Sequence, residues 1–389
     1  MAAYIEAVIA PAARRRYDRR VDWTAVSSLN VHATWACRHS GACCTAGWNI
    51  PVEPAKRSLL GTDWFVAGRD GACPQFDRWS GLCRIHRSHG EAMLPDTCHQ
   101  FPRRVLTDAL GTRVTLSHFC PTAATMLVDA DGPLVVVANP PAFPATRDYD
   151  GLDASNEWPP LIRPDAMFDP VSYAAWEHYL IDTLGSSPDD VMATLGRIAA
   201  TGERIRQWRA GYDTLFDWTM RAVNAPDIAD GDVRVGARAD LDSEDAAARY
   251  ASFGGAGGFA RAASTVPAGL TAPQVPDWLE DDDARWVAPV WRQHARLVLR
   301  YLGARTFASW TPYQSRGLRT QIAELFLADA ILRVESVRAC QRTGCVLNRD
   351  TFIDAVRASD LLLVHHAERA LLMARLGQVE FDASSFTRR

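Results

Sequence analysis

Seven of the nine cysteines in this 389-residue chain lie between Cys37 and Cys120, spaced Cys37-x5-Cys43-Cys44-x28-Cys73-x9-Cys83-x14-Cys98-x21-Cys120, and none follows until Cys340. An average stretch of that length holds about one or two, so the first third of the chain is constrained by its thiols. Three explanations compete. Disulfides need an oxidising compartment, but the number is odd and adjacent Cys43 and Cys44 are awkward to bridge to each other. No secretory signal is expected either, because in MAAYIEAVIAPAARRR the basic cluster follows the apolar stretch instead of preceding it. Inert core packing suits one or two cysteines but not seven. Metal ligation is the favoured reading, since thiolates are soft ligands that select zinc or iron–sulfur clusters and four of them close one site. Seven exceed one such site by three, so either two centres share the module or some cysteines play another part. His86, His89 and His99 interleave with Cys83 and Cys98 and can complete a site. There is no CxxC pair, as in a zinc ribbon, and no CxxxCxxC triplet, as in the common radical enzymes.

The remainder reads as a helical body. Apolar residues at 48% and charged residues at 23% are the balance of a globular protein. No apolar run approaches the ~20 residues of a membrane span, and a net charge of −4 gives no general attraction to nucleic acid or an anionic membrane. Prolines 140, 141, 144, 159, 160, 164 and 170 crowd one stretch, which excludes long helices and central strands and predicts an extended connector. From Ser172 onward Trp176, Tyr179 and Leu180 share a helix face. A second helix is expected to be capped at Ser187-Pro188-Asp189-Asp190, and others over 283–307, 315–339 and from about 348 to Gly377. The acidic, then Gly/Ala-rich stretch 225–272 reads as a long surface loop, or a weakly ordered insertion with a helical turn or two. Cys340 and Cys345 read as ordinary core cysteines. The expected fold is mainly α, with a loop-rich Cys-cluster metal-binding module (1–135), a Pro-rich connector (136–171) and an α-helical domain (172–389).

The segments ACRHSGACCTAGWNIPVE (36–53), GACPQFDRWSGLCRIHRSHGEAMLPDTCHQFPRR (71–104) and LSHFCPTAATMLV (116–128) resemble the YkgJ-type cysteine-cluster family, described as a zinc- or iron-chelating domain. Within it the likeness is greatest to the flagellin lysine-N-methylase (FliB) branch. The features that carry it are the Cys43-Cys44 pair followed by Trp48 and Ile50, then Cys73 to Asp77, and Gly81 to Ile85. They continue as Leu94 with Asp96-Thr97-Cys98, Phe101-Pro102-Arg103, and Cys120-Pro121 with Ala123 and Ala124. The likeness continues more weakly through Arg300–Phe307 and Ser359–Leu371; the connector and the 254–258 glycines have no counterpart in it. It implies a cytoplasmic bacterial enzyme with an iron–sulfur cluster of the [4Fe–4S] type, or alternatively zinc. The activity implied is S-adenosylmethionine-dependent methylation of lysines on a protein substrate such as flagellin. A non-catalytic zinc- or iron-chelating protein is the other reading. Cys43, Cys44, Cys83 and Cys98 are the strongest ligand candidates.

Methyl transfer to lysine needs a neutral amine, which at pH 7 costs about 4–5 kcal/mol from a pKa near 10.4. Burial, a nearby positive charge or a base can supply this. Trp48 is a candidate for the sulfonium donor through cation–π attraction, and the Arg103-Arg104 pair for an anionic cluster or the donor carboxylate. His365 and His366 are base candidates, one expected to face the core and the other solvent. No strand precedes the 254–258 glycines, so a Rossmann-type donor site is not expected. The only lysine is Lys56, so a lysine-modifying enzyme of this sequence is nearly free of targets on itself.

Overall fold

A computed structural model describes residues 26–187, 190–211, 213–225 and 243–381. The fold is mainly α, 56% helix and 10% strand, with one small mixed sheet. That sheet is built from β1 (Val26–Leu29), β2 (Arg103–Asp108), β3 (Gly111–Leu116), β4 (Val136–Ala138) and β5 (Leu152–Asp153) in the order β4-β1-β3-β2-β5. The hairpin β2–β3 is its centre, in register from Arg103↔Leu116 to Asp108↔Gly111. Asp108 Oδ1 accepts from Leu110 N at 2.8 Å to close the turn, and Gly111 takes a left-handed φ of 103°, which favours glycine. The Pro-rich stretch supplies both sheet edges, β4 antiparallel to β1 and β5 parallel to β2. Prolines permit strands there because an edge strand can do without some of its N–H donors.

Both faces of the hairpin are covered, and the period of two sorts them. Val105, Val114 and Leu116 pack with Val26, Trp35, Cys120 and Phe143 on one side. Leu106 packs with Leu29 into the large core of the helical body on the other. The body is formed by α1 (Pro121–Asp129), α2 (Pro170–Ser186), α3 (Val191–Arg206), α4 (Ala295–Thr306), α5 (Leu318–Thr343) and α6 (Arg349–Asp360), with shorter helices between them. Helix α5 is buried along nearly its whole length and packs on α3 and α6. Two of its buried charges are matched: Arg319 Nε and Nη2 donate to Glu203 at 2.6 and 2.9 Å, and Glu324 accepts from Thr311 Oγ1 and from Arg369 at 2.9 Å.

Several expected boundaries move. The cap of α3 is Asp190, whose side chain accepts from Ala193 N, and α2 runs to Ser186, past which Ser187 is its C-terminal residue; Pro188 and Asp189 lie outside the described residues. The expected helix over 283–307 is divided into a π turn at Asp283–Val287, a helical turn at Ala288–Trp291, a 3-10 turn at Arg292–His294 and α4. The one beginning near 348 starts under a capping box of Asn348 and Thr351, but it passes into a π turn at Leu361–His366 before a last helix, Arg369–Leu376.

Residues 226–242 lie outside the described ones; the later part of 225–272 has the helical turns allowed for it, at Ser243–Ala248 and Gly255–Ala263, but not the expected surface position or weak order. Tyr250, Phe259 and Ala262 are fully buried. The small residues serve close packing instead of looseness: a Cβ on Gly258 would meet Phe253 O at 2.1 Å and Ala330 Cβ of α5 at 3.0 Å. Gly258→Ala is therefore expected to cost about 1–3 kcal/mol through overpacking. Gly257→Ala, with nothing nearer than Ser252 O at 3.7 Å, should be neutral or gain up to about 1 kcal/mol of helix propensity. Denaturant midpoints of the two variants check this, and equal effects would refute the packing account.

Candidate metal centre and the chamber behind it

All seven clustered cysteines line one cavity of about 610 Å³. Local structure brings each there separately. Cys43 and Cys44 sit in a 3-10 turn, Ala42–Thr45, entered through Gly41 with φ 70°. A side chain on Gly41 would strike Phe76 Cε2 at 2.6 Å and Gly81 O at 2.8 Å, so the turn closes against the strand pair Phe76–Asp77 and Leu82–Cys83 only as glycine. That pair carries Cys83, registered with Phe76. The Cys73 amide donates to the Cys44 carbonyl at 2.7 Å. Cys98 rides the short helix Asp96–Gln100, whose first amide donates to Glu53 Oε1 at 2.9 Å. Lys56 braces the same helix, donating to Leu94 O at 2.7 Å and Asp96 Oδ1 at 2.6 Å. The sole lysine is thus engaged in structure. Cys120 precedes α1 and is buried, whereas Cys37 is exposed.

The thiols are not equivalent. Cys44 donates to the sulfurs of Cys43 and Cys83, so those two are pushed down, Cys83 to about 6, while Cys44 is pushed up. Burial pushes Cys98 up to about 12, helped by the neighbouring Cys43, Cys73 and Cys83; Cys73 and Cys37 are also raised by burial. A set of gathered thiols that resists full ionisation is one that a bound cation would stabilise. Among the described residues, no three His, Cys, Asp or Glu side chains converge on one point as ligands of a single ion. Four thiolates around one zinc stand only about 3.8 Å apart, from a Zn–S bond of about 2.3 Å and tetrahedral angles.

Of the three histidines expected near the cluster, His86 and His99 line the cavity and His89 does not. His99 is taken up by Arg147, whose Nη2 lies 2.7 Å from its Nε2. The sequence reading missed His39, whose Nδ1 lies 3.9 Å from Cys37 Sγ and whose ring is 4.8 Å from that of His86. Its φ of 54° is uncommon for a non-glycine residue and frequent at ligand-holding sites. Arg103 and Arg104 do not act as a pair, because consecutive strand residues face opposite ways. Arg103 lines the cysteine cavity, with its guanidinium 5.0 Å from the Trp35 ring centre. Arg104 lies over Trp310 at 5.6 Å on the side of the helical body. Burial lowers both, to about 10.

A second chamber, of about 730 Å³, adjoins the first and shares with it Trp48, Ile50, Thr97, Phe101 and Arg103. Trp48 is the middle of that wall: its ring is 5.4 Å from Phe101, 5.7 Å from Phe119 and 4.6 Å from His365. Its Nε1 is buried without a partner. Both His365 and His366 line the second chamber, and His365 is the more deeply buried of the two. A π turn rotates the chain less per residue than an α turn and is frequent at functional sites, so neighbouring side chains on Leu361–His366 stay together. His365 Nε2 lies 2.7 Å from Ser117 Oγ.

Burial pushes His365 down from 6.5 to about 4. The unfolded chain therefore binds a proton between those values that the folded chain does not. Its contribution to stability is full above pH 6.5 and is lost as pH falls towards 4. Between pH 7 and 5 the loss is about 2 kcal/mol at 1.36 kcal/mol per unit. The drop in unfolding free energy over that interval should be smaller by this amount in His365→Phe than in the parent; parallel curves would refute it.

No helix among the described residues is long and apolar enough to cross a membrane. No family model matches the chain, and neither a curated protein nor a solved structure matches it.

Proposed function

We propose that the chain is a metal-cluster enzyme that methylates lysine side chains of a protein with S-adenosylmethionine as donor. The observation that carries this reading is the gathering of seven cysteines around one cavity that shares an aromatic wall with a second, cysteine-free chamber. The donor set is all thiol, the soft ligand that both iron–sulfur clusters and zinc take, and the choice of a cluster follows the sequence resemblance. Cys43, Cys44, Cys83 and Cys98 would hold it. Such a cluster would supply a Lewis-acidic iron for the amino and carboxylate groups of the donor only where one of these thiolates leaves an iron position open.

The chain's own residues do the rest. Arg103, cationic and partly desolvated on the shared wall, attracts a carboxylate. The Trp48 and Phe101 faces offer a sulfonium cation–π attraction of about 0.5–2 kcal/mol. In the transfer, the amine lone pair forms the new N–C bond while the C–S bond breaks with its electrons remaining on sulfur, and the proton released from the ammonium goes to solvent. Substrate identity as flagellin and a bacterial, cytoplasmic setting belong to this proposal through the sequence resemblance alone.

The test is the full chain purified without oxygen and incubated with S-adenosylmethionine carrying a labelled methyl group and a flagellin. Iron and sulfide in matching amounts with label on lysine supports the reading. Colourless protein holding stoichiometric zinc and transferring no label would replace it with the zinc-chelating alternative.

A further inference from the structure

The last two cysteines, Cys340 and Cys345, line neither chamber, and only the first is the core residue expected. Cys340 is fully buried on α5, whereas Cys345 is partly exposed just past the helix end. Gly344, with φ 66°, turns the chain there. Its amide donates to Cys340 O at 2.7 Å, and the Cys345 amide donates to the same oxygen at 3.3 Å. The second bond closes a six-residue turn, the glycine-marked helix ending in which the first and last side chains meet.

That bond also bounds the distance between the two residues. With N···O at 3.3 Å, the backbone bonds on either side allow a Cα separation of about 7 Å at full stretch, and ordinary bond angles shorten it. A disulfide spans Cα atoms about 4.4–6.8 Å apart. The two sulfurs are also held by the same neighbours. Asn348 and Thr351 form the reciprocal cap of α6. Asn348 Nδ2 donates to Cys345 Sγ at 3.4 Å, and the Thr351 side chain is in hydrogen-bonding range of Cys340. Burial pushes the Cys340 thiol up to about 11, with the nearby Cys345 adding to it. Access divides the roles: Cys345 is the sulfur an incoming reagent reaches, and the enclosed Cys340 is the one that resolves.

We propose that Cys340 and Cys345 form a dithiol modification site, closed to an intramolecular disulfide by low-molecular-weight disulfides and reopened by dithiols. It depends on neither chamber. The Cys345 thiolate attacks one sulfur of the reagent, whose S–S bond breaks with its electrons on the departing thiolate. The Cys340 thiol then gives its proton to solvent and attacks Cys345 Sγ, expelling the second reagent thiolate. Two protein thiols are oxidised by two electrons, and one reagent disulfide is reduced to two thiols. The new bond ties the last turn of α5 to the segment entering α6, which Leu347 already anchors by donating its amide to Trp286 O at 3.0 Å.

The experiment incubates the full chain, purified without oxygen, with an excess of oxidised glutathione, then alkylates it with N-ethylmaleimide and digests it with trypsin. Arg342 separates the two cysteines, so the disulfide joins peptides 339–342 and 343–349. The product is two hydrogens lighter than the two thiol peptides together and is lost on treatment with a dithiol. It should exceed any product joining Cys345 to a cysteine of the cavity by at least about tenfold. In Cys340→Ala, Cys345 should instead retain glutathione. In Cys345→Ala, Cys340 should stay a thiol that alkylates only after unfolding. Glutathione held on Cys345 of the parent beside an unbonded Cys340 would overturn the proposal, and so would both thiols remaining intact in the parent. Linkage of Cys345 to cavity cysteines in equal amount would overturn it as well.

Discussion

Cys83→Ser protein purified without oxygen should lose most of its iron and acid-labile sulfide, and Cys43→Ser, Cys44→Ser and Cys98→Ser should do the same, whereas Cys37→Ser should retain the larger part. The grading follows from position. Cys44 is in hydrogen-bonding range of both Cys43 and Cys83, so these three already occupy one neighbourhood. Cys98 faces the same group, as its upward shift in their presence records. Cys37 is exposed and its nearest polar partner is His39, not another sulfur. Serine keeps the shape but replaces a soft thiolate with a hard, seldom ionised hydroxyl, which a thiophilic centre does not accept. Because ligands and the folding of a small metal module are coupled, the same variants should also unfold earlier and transfer no methyl group. Undiminished metal in all four variants would overturn the ligand assignment. Loss in Cys37→Ser equal to theirs would overturn the grading.

The second large effect is expected at Asp360, which is 2% exposed and far in sequence from the clustered cysteines. Its carboxylate accepts from His118 N at 2.6 Å and His118 Nδ1 at 3.2 Å, from Tyr301 OH at 2.9 Å and from Arg305 Nη1 at 2.8 Å. It thereby ties α6 to α4 and to the segment that follows β3. His118 also meets His32 across 3.1 Å between their Nε2 atoms, so one proton lies between two buried rings. Removing the anion leaves Arg305 with Glu324 alone and deprives His118 and Tyr301 of their acceptor. Breaking a buried ion pair on one side costs about 3–5 kcal/mol, and Asp360→Ala should show a loss of that size in denaturant unfolding. Asp360→Asn, which keeps an acceptor oxygen, should lose less.

The pH dependence has a definite sign. These donors hold the Asp360 carboxyl well below its ordinary 3.8, so its contribution is present above that value and is lost as pH falls below it. Parent and Asp360→Asn should therefore converge in stability under strong acid. A constant difference down to pH 2 would refute the charged hub.

How much of this was legible beforehand varies with the range of the interaction. The helix from Ser172 was readable from Trp176, Tyr179 and Leu180, because a periodic apolar face acts over a few residues, and the structure places it in α2. The proline density of 140–170 correctly excluded central strands, for the same local reason. The burial of 243–263 was misread because Gly and Ala signify looseness in isolation and close helix contact when a partner such as α5 is present. The Arg103-Arg104 doublet looked like one feature until the pairing of β2 with β3 set its two guanidiniums on opposite faces.

The sequence by itself determined that a thiol-rich first third precedes a helical remainder, and it marked Trp48 and His365-His366 as residues to watch. Those inferences rest on residue type, count and short periodicity, all of which are local. The tertiary structure alone decided that the seven cysteines meet in one cavity and that a second chamber adjoins it at Trp48. That chamber is assembled from residues 47–50, 97–103, 150, 268–270 and 365–366, segments up to the breadth of the chain apart. Such a surface exists only when long-range burial has brought them together, and no local pattern carries its geometry.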